Sequence, residues 1–237
     1  MVVSWFSGGV SSFIATFIYG KTDRIIYTHI DDQHPDTLRF KNDCERYLKR
    51  EIEFIQSAYK STSEVFAAFK FIKMKKYAPC TEVLKRRIRK EFELQTTESL
   101  TYIWGLDCKE RDRAERLVEA NPNQNHIFPL IERNLTKQDC HGMLQDLKIA
   151  HPKMYDMGYP NNNCIGCVKG GMGYWNKIRI DFPEVFTQRA AEERKYNSRC
   201  LKECFLDELD PGRGNMSTEI FPECSLFCYV ESRILKG

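Results

Sequence analysis

The sequence predicts an α/β fold: a five-stranded parallel sheet with helices on both faces, followed by a smaller cysteine-bearing segment. Three observations carry this. The chain opens on a short apolar run that ends at Ser7, meets Gly8 and Gly9, and passes straight into an amphipathic stretch. Short β-branched or aromatic runs then alternate with helical periodicity as far as residue 150, the rhythm of parallel strands joined by crossover helices. A length of 237 residues suits one sizeable α/β domain with an appendage. The expected division is residues 1–150 for the α/β domain and 151–237 for a Cys-rich C-terminal subdomain.

Taken in order, Val10, Phe13, Ile14, Phe17 and Ile18 recur at helical spacing after the first strand. Arg24 to His29 reads as the second strand, and Asp31 to Pro35 as a polar turn. Asp36 to Glu51 is a helix with Phe40, Cys44, Tyr47 and Leu48 on one side, and Glu53 to Gln56 a short third strand. Ser63 is placed to cap a helix running to about Lys73. Pro79 opens another, with Leu84, Ile88 and Phe92 facing inward. Leu100 to Leu106 is the fourth strand, Glu110 to Glu119 a helix, and His126 to Leu130 the fifth strand. Thr136, with Asp139 three residues on, starts a helix to Leu147 through an approximate capping box. His151 to Gly170, rich in Pro, Asn, Gly and Cys, reads as a structured loop. Helical stretches follow near Tyr174 to Ile180 and Pro183 to Tyr196, and the segment from Ser198 onward has weak periodicity.

Composition narrows the function classes. No apolar run approaches the ~20 residues that span a membrane, and no secretory leader is apparent, so the expected compartment is the cytoplasm. A net charge of +3 is too mild to argue for nucleic acid by itself. Ten cysteines without an export signal point to metal or thiol chemistry rather than a disulfide scaffold.

The opening loop, Ser7-Gly8-Gly9-Val10-Ser11-Ser12, is the first chemical feature. A strand, a glycine turn and a helix N-terminus present backbone N–H groups to an anion. Glycines there allow close approach of phosphate to backbone, and the hydroxyls of Ser7, Ser11 and Ser12 add donors. Lys85 to Lys90 holds five basic residues in six, read either as a solvated helix face or as an anion site. Asp31 and Asp32 follow a strand end, where a carboxylate meets ribose, magnesium or substrate, or simply caps the turn. Arg113 is either a phosphate ligand or half of a surface ion pair. Cys164-x-x-Cys167 and Cys224-x-x-x-Cys228 are close pairs, each able to grip one metal; Cys44 and Cys140 fall within helical patterns as small core residues.

The loop resembles the SGGxDS signature of the N-type ATP pyrophosphatases, the adenine nucleotide α-hydrolase superfamily. Five further stretches resemble, in order, that superfamily's phosphoadenylyl-sulfate reductase branch. They are Asp31 to Phe40, Pro79 to Arg86, Gly105 to Arg113, Pro129 to Asp139, and Tyr155 to Pro160 with Cys164 to Cys167. The resemblance covers roughly residues 1–170. It implies a Rossmann-like sheet and an adenine nucleotide on Ser7 to Ser12, with Asp31, Lys85, Arg86, Gly105 and Arg113 around it. It implies Ser12 and Lys85 as residues acting at the phosphates, ATP as ligand with Mg²⁺, and adenylation of an acceptor, a tRNA or a small molecule. The alternative it implies is a sulfonucleotide reductase with Cys224 as nucleophile and thioredoxin as electron donor; a third reading is a nucleotide- or nucleic-acid-binding module without turnover. The cysteines are expected to hold either a 4Fe–4S cluster on Cys80, Cys164, Cys167 and a tail cysteine, or zinc on Cys164, Cys167, Cys224 and Cys228, with free thiols as the third reading. Two departures stand out. Ser11 occupies the position of the signature's Asp, and Glu223 to Phe227 keeps the Glu, Cys and Leu of the reductases' terminal motif without its Gly and His.

Overall fold

A computed structural model of the chain describes residues 1–74 and 77–218. Cys224 and Cys228 lie outside the described residues. Contacts divide the chain into two interleaved units: Met1–His29, Pro35–Ile55 and Ile88–Asn162 form the first, and Ile30–His34, Gln56–Arg87 and the chain from Asn163 form the second.

The first unit holds the sheet. Its strands are β1 (Val2–Phe6), β2 (Arg24–His29), β3 (Glu53–Gln56), β4 (Thr101–Ile103) and β5 (Asn125–Ile127), ordered β3-β2-β1-β4-β5. β1 pairs in parallel with both β2 and β4, and β4 pairs in parallel with β5. Alternation along β1 assigns its two faces. Ser4 and Phe6 look toward α1 (Val10–Tyr19), with the Ser4 hydroxyl 2.5 Å from that of Thr16. Trp5 looks the other way and meets Phe92 edge-on at 5.7 Å. Phe92 belongs to the last part of the helix that Pro79 opens. That helix begins as α4 (Pro79–Thr81), widens to a π-type turn over Glu82–Arg86, and resumes as α5 (Arg87–Gln95). The main core packs Phe6, Phe13, Ile14, Ile25, Tyr27, Phe40, Ile103 and Leu144 into one cluster. Cys44 and Cys140 are fully buried in it, as their helical spacing predicts.

Several boundaries move for local reasons. The fourth strand stops at Ile103, not Leu106, and the Trp104 N–H closes the ladder onto the Ile127 carbonyl at 3.0 Å. The fifth strand ends at Ile127 because Pro129 starts a one-turn helix, missing only an N–H that would be unpaired there anyway. The helices of this unit are α2 (Asp36–Leu48), α6 (Arg111–Ala120), α7 (Pro129–Glu132), α8 (Lys137–Asp146) and α9 (Lys153–Asp156), the last inside the segment expected to be loop. The capping box of Thr136 and Asp139 is present.

In the second unit α3 (Thr62–Phe69) is capped by Ser61, not Ser63. The Ser61 hydroxyl accepts from the Glu64 N–H at 3.2 Å, and the Glu64 carboxylate accepts from the Lys60 N–H at 2.7 Å. Helices α10 (Met172–Asp181) and α11 (Pro183–Tyr196) complete it. Among the described residues no helix is long and apolar enough to cross a membrane.

Candidate functional site

The strand order fixes where a site forms. The chain leaves β1 for β2 and β3 on one side, then returns for β4 and β5 on the other. The carboxyl ends of β1 and β4 therefore flank a topological switch point, where open α/β sheets bind ligands. The loop Ser7 to Ser12 leaves one of those ends and Gly105 follows the other.

Each glycine there has a steric reason. Gly8 has φ +82, and a Cβ on it would lie 2.8 Å from the Thr37 methyl. A Cβ on Gly105 would lie 2.6 Å from both the Cα and the N of Ser12, so no side chain fits between the end of β4 and the start of α1. Gly9 is the N-cap of α1 in extended conformation, and no side chain caps that helix. Its first-turn N–H groups and the positive end of its dipole thus face the loop's concavity.

The serine hydroxyls brace the loop. The Ser12 hydroxyl accepts from the Ser7 N–H at 3.1 Å and from the Ser7 hydroxyl at 3.0 Å, and donates to the Gly9 carbonyl at 2.8 Å. Ser11 is buried at the start of α1, and burial pushes the Cys140 thiol on α8 up to about 12. What remains for an anion is chiefly backbone.

Asn162 was not singled out by sequence reasoning. Its amide donates to the Gly8 carbonyl at 2.7 Å and to the Thr37 hydroxyl at 3.0 Å, and it is buried. It ties the glycine turn to the first turn of α2. The run Asn161-Asn162-Asn163 after the Tyr159-Pro160 pair was its one sequence signal. Tyr155 belongs here too: its hydroxyl is 3.2 Å from where a Gly9 Cβ would stand. The ring of Tyr155 meets His141 edge-on at 4.8 Å, and Lys137 Nζ lies 5.8 Å from its centre while donating to the Asn161 side-chain oxygen Oδ1. His151 is 4.9 Å from His141, ring centre to ring centre. Burial, His151 and Lys137 together hold His141 down at about 4.

The remaining candidates divide between the units. Gly105 and Arg113 share the first unit with the loop, and Arg113 pairs with the Glu110 carboxylate. Asp31, Lys85, Arg86, Cys80, Cys164 and Cys167 belong to the second. There the Asp31 carboxylate accepts from the Gln56 amide at 3.0 Å. Asp32 accepts from the Thr62 N–H at 2.7 Å and the Thr62 hydroxyl at 2.6 Å, the turn-capping role. Lys85 and Arg86 are not on a solvated face: they are 9% and 7% exposed, and Arg86 pairs with Glu82 one turn back. Arg89 is buried as well, facing Glu93 at 3.5 Å rather than solvent.

Cys164 to Cys167 forms a tight turn with Gly166 at φ +70, where a Cβ would strike Val185 at 2.6 Å. Tyr174 holds both ends, its hydroxyl donating to the Cys164 carbonyl at 3.2 Å and accepting from the Cys167 N–H at 2.8 Å. Cys80, Cys164 and Cys167 are buried thiols. Among the described residues no three His, Cys, Asp or Glu side chains come together as a metal site.

A parallel sheet with a glycine loop and an uncapped helix N-terminus at its switch point is the arrangement of α/β proteins of the mononucleotide-binding type. The sequence profile of the phosphoadenosine phosphosulfate reductase domain matches residues 1–170, and the chain belongs to that family. A crystal structure of phosphoadenylyl-sulfate (PAPS) reductase from Candida auris, a phosphate complex, is similar with a TM-score of 0.49 and 11% identity, over 69% of this chain and 80% of that one. No curated protein is a significant match.

Proposed function

We propose that Ser7 to Ser12 binds the phosphates of an adenine nucleotide and that the chain is an ATP pyrophosphatase of this family that adenylates an acceptor. The carrying observation is the steric exclusion of side chains at Gly8 and Gly105, which leaves backbone donors and the α1 N-terminus exposed to an anion. The Ser-Gly-Gly form of the loop supports ATP over a sulfonucleotide. In the reaction, an acceptor oxygen attacks the α-phosphorus, the bond from that phosphorus to the α–β bridging oxygen breaks, and pyrophosphate leaves with the electron pair. Donors at Gly8 and Gly9 would take up charge on the departing phosphates. Lys137, held by the Asn161 side chain near the ring of Tyr155, is a cation of the first unit; Lys85 is the cation that the resemblance implies. Ser12 orients phosphate through the loop it braces, with no base placed to make it a nucleophile.

Magnesium neutralises nucleotide phosphates when it is bound. Ser11, a neutral and buried hydroxyl, stands in the place of the signature's carboxylate, so the residue at that position does not fit such an ion and no step is routed through one. Neither does the described cysteine set complete a cluster or zinc site, and no step passes through it.

Pyrophosphate release from ATP tests the reading. The wild type should release it above background once an acceptor is supplied, and Gly8→Val should not. The family match favours one other reading, a sulfonucleotide reductase with Cys224 as nucleophile and thioredoxin as donor. Sulfite release from phosphoadenylyl sulfate, abolished by Cys224→Ser with nucleotide binding intact, would replace the first reading by the second.

A further inference from the structure

The second unit carries a cleft of about 740 Å³ between the segment after α3 and the segment after α11. Its described lining includes three cations, Lys73, Arg199 and Lys202, and two aromatic rings, Phe71 and Tyr196, with no carboxylate among the described residues. From Phe69 to Ala78 and from Arg194 to Lys202 the sequence contains no Asp or Glu. In a chain of net charge +3 this is a local concentration of positive charge.

The walls are fixed by buried hydrogen bonds. The Ser198 hydroxyl accepts from the N–H groups of Ile72 at 3.0 Å and Lys73 at 3.2 Å, joining one wall to the other. Lys73 Nζ donates to the carbonyls of Val168 at 3.1 Å and Cys200 at 2.9 Å, so its charge is partly spent on the scaffold. Behind the second wall, the fully buried Glu193 accepts from the N–H groups of Cys200 and Leu206.

Some of the positive charge has a structural reason. Helices α3 and α11 end at Lys70 and Asn197, both left-handed at φ 58 and φ 46. Lys70 and Lys195 therefore sit at helix C-termini, where cations complement the dipole. Arg199 and Lys202 lie past the end of α11 and are exposed. Arg199 donates to the Glu203 carbonyl at 3.3 Å, and its guanidinium is 5.7 Å from the Phe205 ring. The helix ends do not account for these two.

We propose that this cleft binds single-stranded nucleic acid, with phosphates on Arg199 and Lys202 and bases stacked on Phe71 and Tyr196. Cations interleaved with aromatic faces are the recognition chemistry of unpaired strands, because every base has a π face and every linkage a charge. An acidic peptide would use the cations and leave the rings without partners. Exposed Lys70 and Lys195 extend the charge into the sequence flanking both walls, which suits a polymer better than one nucleotide. The proposal does not rest on the reading of the phosphate loop.

The test uses the full chain and fluorescein-labelled single-stranded RNA and DNA of about 12 nucleotides, read by anisotropy over a salt series. Wild type should bind, with affinity falling steeply as salt rises. The double variant Arg199→Ala, Lys202→Ala removes two exposed cations. It should weaken binding at least tenfold and flatten the slope of log K against log salt by about 1.4, at roughly 0.7 per phosphate contact on a single strand. Tyr196→Ala should weaken binding with the slope unchanged. RNA against DNA binding identifies which strand is preferred. No binding at low salt, unchanged binding by the double variant, or equal displacement by polyglutamate would each overturn the proposal. Full displacement of the oligonucleotide by ATP would overturn it too, by placing the strand at the phosphate loop. A circular-dichroism spectrum and melting temperature equal to those of the wild type show that the double variant is folded.

Discussion

Gly8 and Gly105 show how single atoms decide the site. At Gly8 an alanine meets both a left-handed backbone and the Thr37 methyl at 2.8 Å, so Gly8→Ala should cost about 1–3 kcal/mol in urea unfolding and reduce nucleotide binding. At Gly105 the obstacle is the Ser12 backbone, which has no rotamer to yield; Gly105→Ala should weaken ATP binding about tenfold or more by calorimetry. Gly142 is the control, since an added Cβ there meets nothing within 4 Å in the middle of α8. Gly142→Ala should leave binding alone and stabilise by about 0.4–1 kcal/mol. Asn162→Ala should cost about 1–3 kcal/mol, because it strips a buried carbonyl at Gly8 of its donor. Gly8 was legible in the sequence because a strand, two glycines and a helix form one local pattern, whereas Gly105 came only through the family resemblance. Asn162 was not legible, because its bond to Gly8 spans 154 residues and asparagine in a Pro/Asn-rich stretch reads as turn chemistry.

Elements were legible in type and less so in their ends. β2, β3 and α11 fall where periodicity and punctuation put them. The start of α3 does not, because two serines compete and only partner geometry chooses between them. Ser61→Ala should cost about 1 kcal/mol by thermal or urea unfolding, and Ser63→Ala should stay within about 0.5 kcal/mol. The helix opened by Pro79 shows a different limit. Leu84, Ile88 and Phe92 are buried as their spacing predicts, yet Lys85, Arg86 and Arg89 are buried with them. A π-type turn at Glu82–Arg86 breaks the 3.6-residue period on which a one-sided reading depends. Arg89 is covered from the side by Glu93, and Glu93 in turn accepts from the Tyr102 hydroxyl at 2.9 Å, a residue of β4. A run of basic residues is a solvated face only when nothing packs over it, and that is a tertiary fact.

At the scale of the whole molecule, the class of fold follows from alternation alone, whereas which segments share a unit depends on contacts between residues far apart in the chain. The His141, His151 and Tyr155 cluster is an example: its rings come from neighbouring segments, α8 and the stretch after it, yet Tyr155 stands against Gly9, far earlier in the chain. That cluster links folding to acidity. His141 takes up its proton in the folded chain only near pH 4, against an ordinary 6.5, because burial and the charges of His151 and Lys137 oppose it. Between those two values the unfolded chain binds the proton and the folded chain does not. The linkage therefore lowers stability as pH falls through that window, and restores it fully above the ordinary value. Burial lowers His126 in the same direction. Glu193, raised by burial, works the opposite way, as the folded chain holds its proton more tightly. Comparing wild type with His141→Gln isolates the histidine from these other groups. The wild-type melting temperature should drop more than that of the variant between about pH 7 and about pH 5, and the two curves should run parallel above about pH 7. Parallel curves through the acid window as well would show that His141 ionises freely in the folded chain, and would remove it from the packed wall beside Tyr155.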